Sequence, residues 1–159
     1  MMRGVAVRRE RKLIIAALAG MTLLAGCDGS AGSQRHLGDT IRIGLNLESS
    51  GAHRSYGDAA LKGAQTAVNM VNQAGGINGK QIEVVAVDNG SSPGRATALS
   101  TQLMTQNRAL AVLGPITEPL FTTTTSIADK QQIVSVASLA CGRDALMPTA
   151  EAVHEYAFR

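Results

Sequence analysis

The chain has 159 residues, 45% of them hydrophobic, with 15 lysines and arginines against 12 aspartates and glutamates and a sequence pI near 9.2. Two Tyr, two Phe and no Trp leave little for nucleobases to stack on, and no basic stripe is interleaved with aromatics, so the composition argues against nucleic acid as a partner. The length suits one modest domain.

The basic excess belongs to the first 26 residues. Arg3, Arg8, Arg9, Arg11 and Lys12, opposed only by Glu10, precede a 13-residue apolar run at 13–25 (LIIAALAGMTLLA). A charged front before a short apolar centre is the pattern of a secretory signal, and the run falls short of the roughly 20 apolar residues that span a bilayer core. It ends in Leu24-Ala25-Gly26-Cys27, which resembles the bacterial lipoprotein signal, where cleavage before the Cys makes it the first residue and acyl chains on it anchor the protein. Residues 1–26 are therefore expected to be a lipoprotein signal peptide, Cys27 to carry lipid, and the protein to sit on the extracytoplasmic side of a membrane. Arg8-Arg9 fits twin-arginine export poorly, because Arg11 stands where that signal carries a bulky apolar residue. Without residues 1–26 the chain holds ten basic and eleven acidic side chains, a net charge of −1, and Cys141 is the one unmodified thiol left. No disulfide within the chain is expected.

Residues 28–39 (DGSAGSQRHLGD) are polar, rich in Gly and Ser, and without an apolar period, so 27–39 reads as a flexible tether. Beyond it, strand-like and helix-like segments alternate, the pattern of a parallel sheet. Residues 41–47 (IRIGLNL) form the first strand. Residues 56–74 are helical in period, with Ala60, Ala64, Ala67 and Val71 in one stripe beside Leu61 and Val68, and Gly75-Gly76 ends the helix. The second strand is 81–88 (QIEVVAVD). A loop at 89–94 leads into a helix of roughly a dozen residues, with Ser92 as N-cap and Pro93 at the first helical position. Leu99, Leu103 and Met104 mark its buried face. Residues 110–114 are the third strand, 119–130 the third helix despite four weak helix formers, the threonines at 122–125, and 133–138 the fourth strand. Residues 147–159 show no clear period. The order predicts an α/β fold, a doubly wound parallel sheet whose ligands lie outside the carboxyl ends of the strands. That directs attention to the loops at 48–56, 89–92, 115–119 and 139–143.

Signals of catalysis are thin: no GxGxxG or GxxxxGK[ST] follows a strand, and no His/Cys/Asp/Glu group has metal-ligand spacing. His36, His53 and His154 are far apart and are expected at the surface. Cys141 has no His near it and is expected as a small buried hydrophobe rather than a nucleophile. These features predict no enzyme, no metal and no cofactor. Residues 114–119 (GPITEP) run from a strand towards a helix. Free backbone N–H groups there could hold a carboxylate or phosphate, with a hydroxyl added by Thr117, or the loop is merely a turn before a capped helix; the local residues do not choose.

Several segments recur together in order and spacing: Ile41-Arg42-Ile43-Gly44, Ser55-Tyr56-Gly57-Asp58, Gly63-Ala64 with Ala67-Val68, NQAGGINGK at 72–80, the strand ending at Asp88, Ser92-Pro93 with Ala96, and Val112-Leu113-Gly114-Pro115. Through them the sequence from 41 to about 139 resembles the branched-chain amino-acid-binding proteins of ABC importers, which have the type I periplasmic binding fold. The resemblance implies two lobes with the ligand between them, and first-lobe contacts from the loops after strands 1, 3 and 4. Tyr56 matches the residue that touches the ligand side chain. The groups that receive the ligand carboxylate fall near Thr117 and Glu118 and near Ala137, Ser138 and Leu139.

Here the sequence departs from the pattern. Glu118 stands where a Ser is usual and Leu139 where a Thr is usual. An ionised Glu beside a ligand carboxylate is repulsive, so either the hydroxyls are displaced by one place onto Thr117 and Ser138, or the ligand is not a plain α-amino acid. The family's paired acids after strand 2 are altered to Asp88-Asn89, and the acid before Pro93 is Ser92. Family proteins are much longer, so 40–159 corresponds to part of an N-terminal lobe, an incomplete type I lobe that leaves apolar surface open. The implied function is that of an extracytoplasmic, lipid-anchored solute-binding protein delivering a branched-chain amino acid or a related small polar solute, such as an amide or urea-like compound, to an ABC permease. A sensory ligand-binding module, or a truncated lobe with no binding of its own, are the other readings; a neighbouring permease or kinase reading frame, and continuation of the frame beyond Arg159, separate them.

Overall fold

The computed structural model describes residues 38–149 and 153–159; the expected signal peptide at 1–26, Cys27 and most of the tether lie outside them. Five strands, β1 (Thr40–Leu47), β2 (Gln81–Asp88), β3 (Ala111–Leu113), β4 (Val134–Val136) and β5 (Ala157–Phe158), form one sheet in the order β2-β1-β3-β4-β5. Every neighbouring pair is parallel. The connections carry α1 (Arg54–Gln73), α2 (Pro93–Thr105), a one-turn α3 (Glu118–Phe121), α4 (Thr125–Gln131) and a 3-10 turn at Arg143–Ala145. This is the expected doubly wound α/β sheet, and its strand order reverses between β1 and β3. In such sheets the reversal opens a crevice at the carboxyl ends, because the two flanking loops turn to opposite faces.

Alternation along the strands assigns the faces. Leu45 and Leu47 are buried with Ile116 against Ala60, Leu61 and Ala64 of α1, joined by Ile43, Val84 and Leu113. On the opposite face, Leu103 and Met104 of α2 pack with Ala109, Val112, Ile133 and Ala128 of α4. Burial on both faces gives β1 its near-continuous apolar character. α1 touches the sheet lightly: Gly57 is its one buried residue, and Ala67, expected in the stripe, is exposed. A side chain at Gly57 would collide with the Glu48 carbonyl. Helix and loop can meet backbone to backbone there only because the residue has no Cβ.

The third helix differs from expectation. Instead of one helix over 119–130 there are two, because the threonine run interrupts it: Thr123 Oγ1 donates to the Leu120 carbonyl at 2.7 Å and Thr124 Oγ1 to the Phe121 carbonyl at 2.8 Å. Side-chain bonds of this kind compete with the helical ladder, and β-branching adds to the disfavour. The break turns Phe121 into a cluster with Ala137, Ala140, Ala145 and Ala157. Ser92 precedes Pro93 as expected, but its side chain makes no capping bond.

Residues 147–159, without period in the sequence, return to the sheet as β5, where Ser135 N–H donates to the Tyr156 carbonyl at 2.7 Å and Ala137 N–H to the Phe158 carbonyl at 2.9 Å. Asp129 of α4 fastens this segment. Its Oδ2 lies 2.5 Å from His154 Nδ1, and its Oδ1 accepts from Tyr156 N–H at 2.9 Å. His154 is thus a paired, largely covered residue rather than the surface histidine expected. Burial pushes the Asp129 carboxyl up, but the bonds from His154 and Tyr156 outweigh it and hold the group below its usual 3.8. A carboxyl lowered in the native state stabilises the fold above its unfolded pKa, and that contribution disappears as pH falls through the native value. Asp129→Asn is therefore expected to remove part of the acid sensitivity that sets in below pH 3.8, about 1 kcal/mol or less for a partly solvated pair. Urea midpoints measured down the acid range check this; an unchanged acid loss in the variant would contradict it.

Candidate functional site

At the carboxyl ends of β1 and β3 a buried carboxylate joins two loops. Glu48, the first residue after β1, is fully buried. Its two oxygens accept from Ile116 N–H at 3.2 and 3.1 Å, and Oε1 also accepts from Thr117 N–H at 3.0 Å and from Thr117 Oγ1 at 2.9 Å. The loop after β3 is therefore fixed from below by a residue that the expectations above include only as the start of the loop at 48–56 and give no role. Thr117 is paired in turn with Leu139 through a parallel bridge, in which Leu139 N–H donates to the Ile116 carbonyl at 3.3 Å. Glu118 reaches across the same junction, its carboxylate accepting from Gly142 N–H at 2.5 Å.

The loop after β2 is tied to the loop after β1. Ser50 donates to Asp88 through its hydroxyl at 2.6 Å and its N–H at 3.1 Å, and Gly90 N–H adds a third bond at 2.9 Å. The Ser50 hydroxyl is the main reason the Asp88 carboxyl is lowered; burial opposes, while the two amides and Arg95 assist. Ser91 Oγ bridges the loops, donating to the Ser50 carbonyl and accepting from His53 N–H. Beneath them, buried Asn46 and Asn89 bond to each other, and Asn46 also holds α2 through the Ala96 carbonyl and Ser100 Oγ. Asp88 and Asn89, altered from the family's paired acids, thus act as fasteners between loops.

Of the sequence-predicted site residues, Thr117 and Leu139 are adjacent, and Glu118 is bound to the segment just beyond Leu139. Leu139 is 45% exposed and Ser138 is exposed, while Ala137 is buried with its N–H committed to β5. Tyr56 lies in the first turn of α1 rather than in a loop, half exposed, its ring stacked on His53 with centroids 6.3 Å apart. It neighbours Gly57, which rests on Glu48. Cys141 is exposed, not buried as expected, and lies between buried Ala140 and Gly142, whose N–H donates to Glu118. Among the described residues no His, Cys, Asp and Glu group could hold a metal, and no helix is long and apolar enough to cross a membrane. Glu48 was the residue missed. The one sign of it in the sequence is an acid directly after an apolar strand with no base nearby.

An open parallel sheet with its loops knit around a β1/β3 crevice is one lobe of a doubly wound binding fold. The Periplasmic binding protein family model matches residues 40–159, and the chain belongs to that family. An amino acid binding protein of Pseudomonas aeruginosa is 32% identical over 104 residues, covering 65% of this chain and 28% of that protein. A Leu/Ile/Val-binding protein of Escherichia coli K12 is 33% identical over 87 residues, covering 55% of this chain and 24% of its own length. Among solved structures, the branched-chain amino acid transporter substrate binding protein LivJ of Streptococcus pneumoniae, in complex with isoleucine, superposes with a TM-score of 0.70 at 39% identity, over 75% of this chain and 33% of that one. The chain thus spans about a quarter to a third of the length of these relatives.

Proposed function

We propose that residues 40–159 form part of the N-terminal lobe of an extracytoplasmic solute receptor that binds a branched-chain amino acid or a related small polar solute, an amide or urea-like compound, and presents it to an ABC permease. In the same reading residues 1–26 are a signal peptide, Cys27 carries the lipid that holds the protein at the membrane, and 27–39 are the tether. The observation that carries the reading is the convergence of Thr117, Glu118 and Leu139 on one junction at the carboxyl end of the sheet, in a fold shared with an isoleucine-bound transporter protein. The test is a thermal-shift screen of the protein expressed from its complete reading frame against amino acids, amides and urea. A ligand present at 100 times its Kd adds roughly 2.7 kcal/mol of stability; no shift with any of these solutes would remove the proposal.

Tyr56 lines the site in this reading, because it stands at the start of α1 above the Glu48 junction with half its surface open. Tyr56→Ala is expected to weaken binding by more than about tenfold, an aromatic contact's worth, while leaving the unliganded melting temperature nearly unchanged. Calorimetric titration checks it, and equal affinity would take Tyr56 out of the site.

Glu118 sets the ligand class in this reading. Its carboxylate takes one N–H from Gly142 and follows Thr117 in the chain, which disfavours a ligand carboxylate at that point. Free leucine, isoleucine and valine should bind the wild type less well than ligands offering an amine or amide there. Glu118→Ser should bring leucine up by about tenfold or more. Micromolar leucine binding by the wild type with no gain in the variant would show that Glu118 does not govern selectivity.

A further inference from the structure

We infer that Glu48 is a positioning residue that turns the Thr117 hydroxyl into a hydrogen-bond acceptor towards the ligand, so that Thr117 recognises an N–H-bearing group of the solute rather than its carboxylate. The inference rests on the function proposed above. Its ground is a count of protons. A threonine hydroxyl carries one proton, and Thr117 gives that proton to Glu48 Oε1 at 2.9 Å. The N–H groups of Ile116 and Thr117, the donors that a strand-to-helix loop would otherwise offer to an anion, also point at Glu48. What Thr117 has left is lone pairs. With these donors turned inward onto a buried anion, the Thr117 hydroxyl disfavours a second anion and accepts from an ammonium or amide.

The arrangement is fixed rather than incidental. Glu48 is fully buried, and a carboxylate so placed must keep its donors, since losing them leaves an uncompensated charge. Gly57 packs on the Glu48 backbone and would not tolerate a side chain there. Leu139 pairs with Thr117 and presents no hydroxyl, and Glu118, next in the chain, is a second carboxylate whose one bond is to Gly142 N–H. No side-chain donor from these four positions replaces the proton Thr117 has given away.

The experiment uses three probes that separate the ligand's two ends: leucine, leucinamide, which lacks the carboxylate, and isocaproate, which lacks the amine. They are titrated by calorimetry into protein expressed from the complete reading frame, as wild type, Thr117→Val and Glu48→Gln. Thr117→Val should weaken leucinamide roughly tenfold or more and leave isocaproate within about twofold. Glu48→Gln, with its amide oxygen at the Oε1 position, keeps an acceptor for the Thr117 N–H and hydroxyl alike, so the preference for leucinamide over isocaproate should stay within about twofold. A merely structural role would change both ligands alike. Equal losses for the two probes in Thr117→Val, or a larger loss for isocaproate, would overturn the inference. Hydrogen exchange without ligand keeps the two ideas apart: the Ile116 and Thr117 amides should exchange about tenfold faster in Glu48→Ala than in the wild type, and Glu48→Gln should restore much of the protection. Unchanged exchange in Glu48→Ala would overturn the positioning role whatever binds. Expected exchange with no binding of any probe would leave that role standing and remove both the function proposed above and the ligand half of this inference.

Discussion

Phe121→Ala is expected to lower the free energy of unfolding by about 3–5 kcal/mol. The ring is fully buried at the end of α3, and its buried neighbours are Ala137, Ala140, Ala145 and Ala157, with Leu146 at the margin. A large ring surrounded by alanines fills space that nothing else can reach. Ala137 directly follows β4 and Ala157 lies on the adjoining β5, and the backbone bond from Ala137 N–H to the Phe158 carbonyl, 2.9 Å long, keeps them from collapsing inward. The cavity should therefore persist, and the cost should sit at the upper end for such truncations. Urea unfolding reads the effect; Phe121→Leu should recover more than half of it, and a loss below about 1 kcal/mol in Phe121→Ala would show that the cluster repacks. The same variant should loosen the segment that carries Leu139, so ligand affinity should fall with stability.

Asn46→Ala is expected to cost about 3 kcal/mol, since it orphans several buried polar groups at once. The Asn46 amide donates to the Ala96 carbonyl at 2.8 Å and to Ser100 Oγ at 2.9 Å, and its oxygen accepts from Asn89 Nδ2 at 3.1 Å. All of these lie in the interior, where no water replaces the missing partner. Asn89 in turn holds Ser91 N–H at 2.9 Å, at the foot of the loops that flank the crevice. Asn89→Ala should thus cost less alone, and the two substitutions together less than their sum. Independent, additive losses in that cycle would mean the groups do not act as one network.

Periodicity and turn chemistry read well where elements are long. β2 falls on its expected residues and β1 begins one residue earlier than expected, because eight paired residues in each leave a clear apolar pattern. α1 starts two residues before the expected position, ahead of the tyrosine, since nothing in Arg54 or Ser55 opposes a helix. Three features were hidden for physical reasons. β5 is two residues long and joins the sheet through its backbone, so no pattern of side chains announces it. The break between α3 and α4 depends on hydroxyls of Thr123 and Thr124 finding carbonyls one turn back, which a propensity scale registers only as weakness. Glu48 reads as an ordinary loop acid; its partners are 68 and 69 positions away, and apart from the Thr117 hydroxyl they are backbone groups, which leave no trace in residue type. The loops at the carboxyl ends of the strands, by contrast, followed from the order of elements alone.

A complex structure with leucinamide tests the central claim most directly, namely that the carboxyl-end loops of β1, β3 and β4 supply the first half of a solute site. The protein from the complete reading frame should hold the ligand against Tyr56, Thr117 and Leu139, its amine towards the Thr117 hydroxyl. A ligand seated at the opposite end of the strands, or touching none of these three residues, would contradict the account.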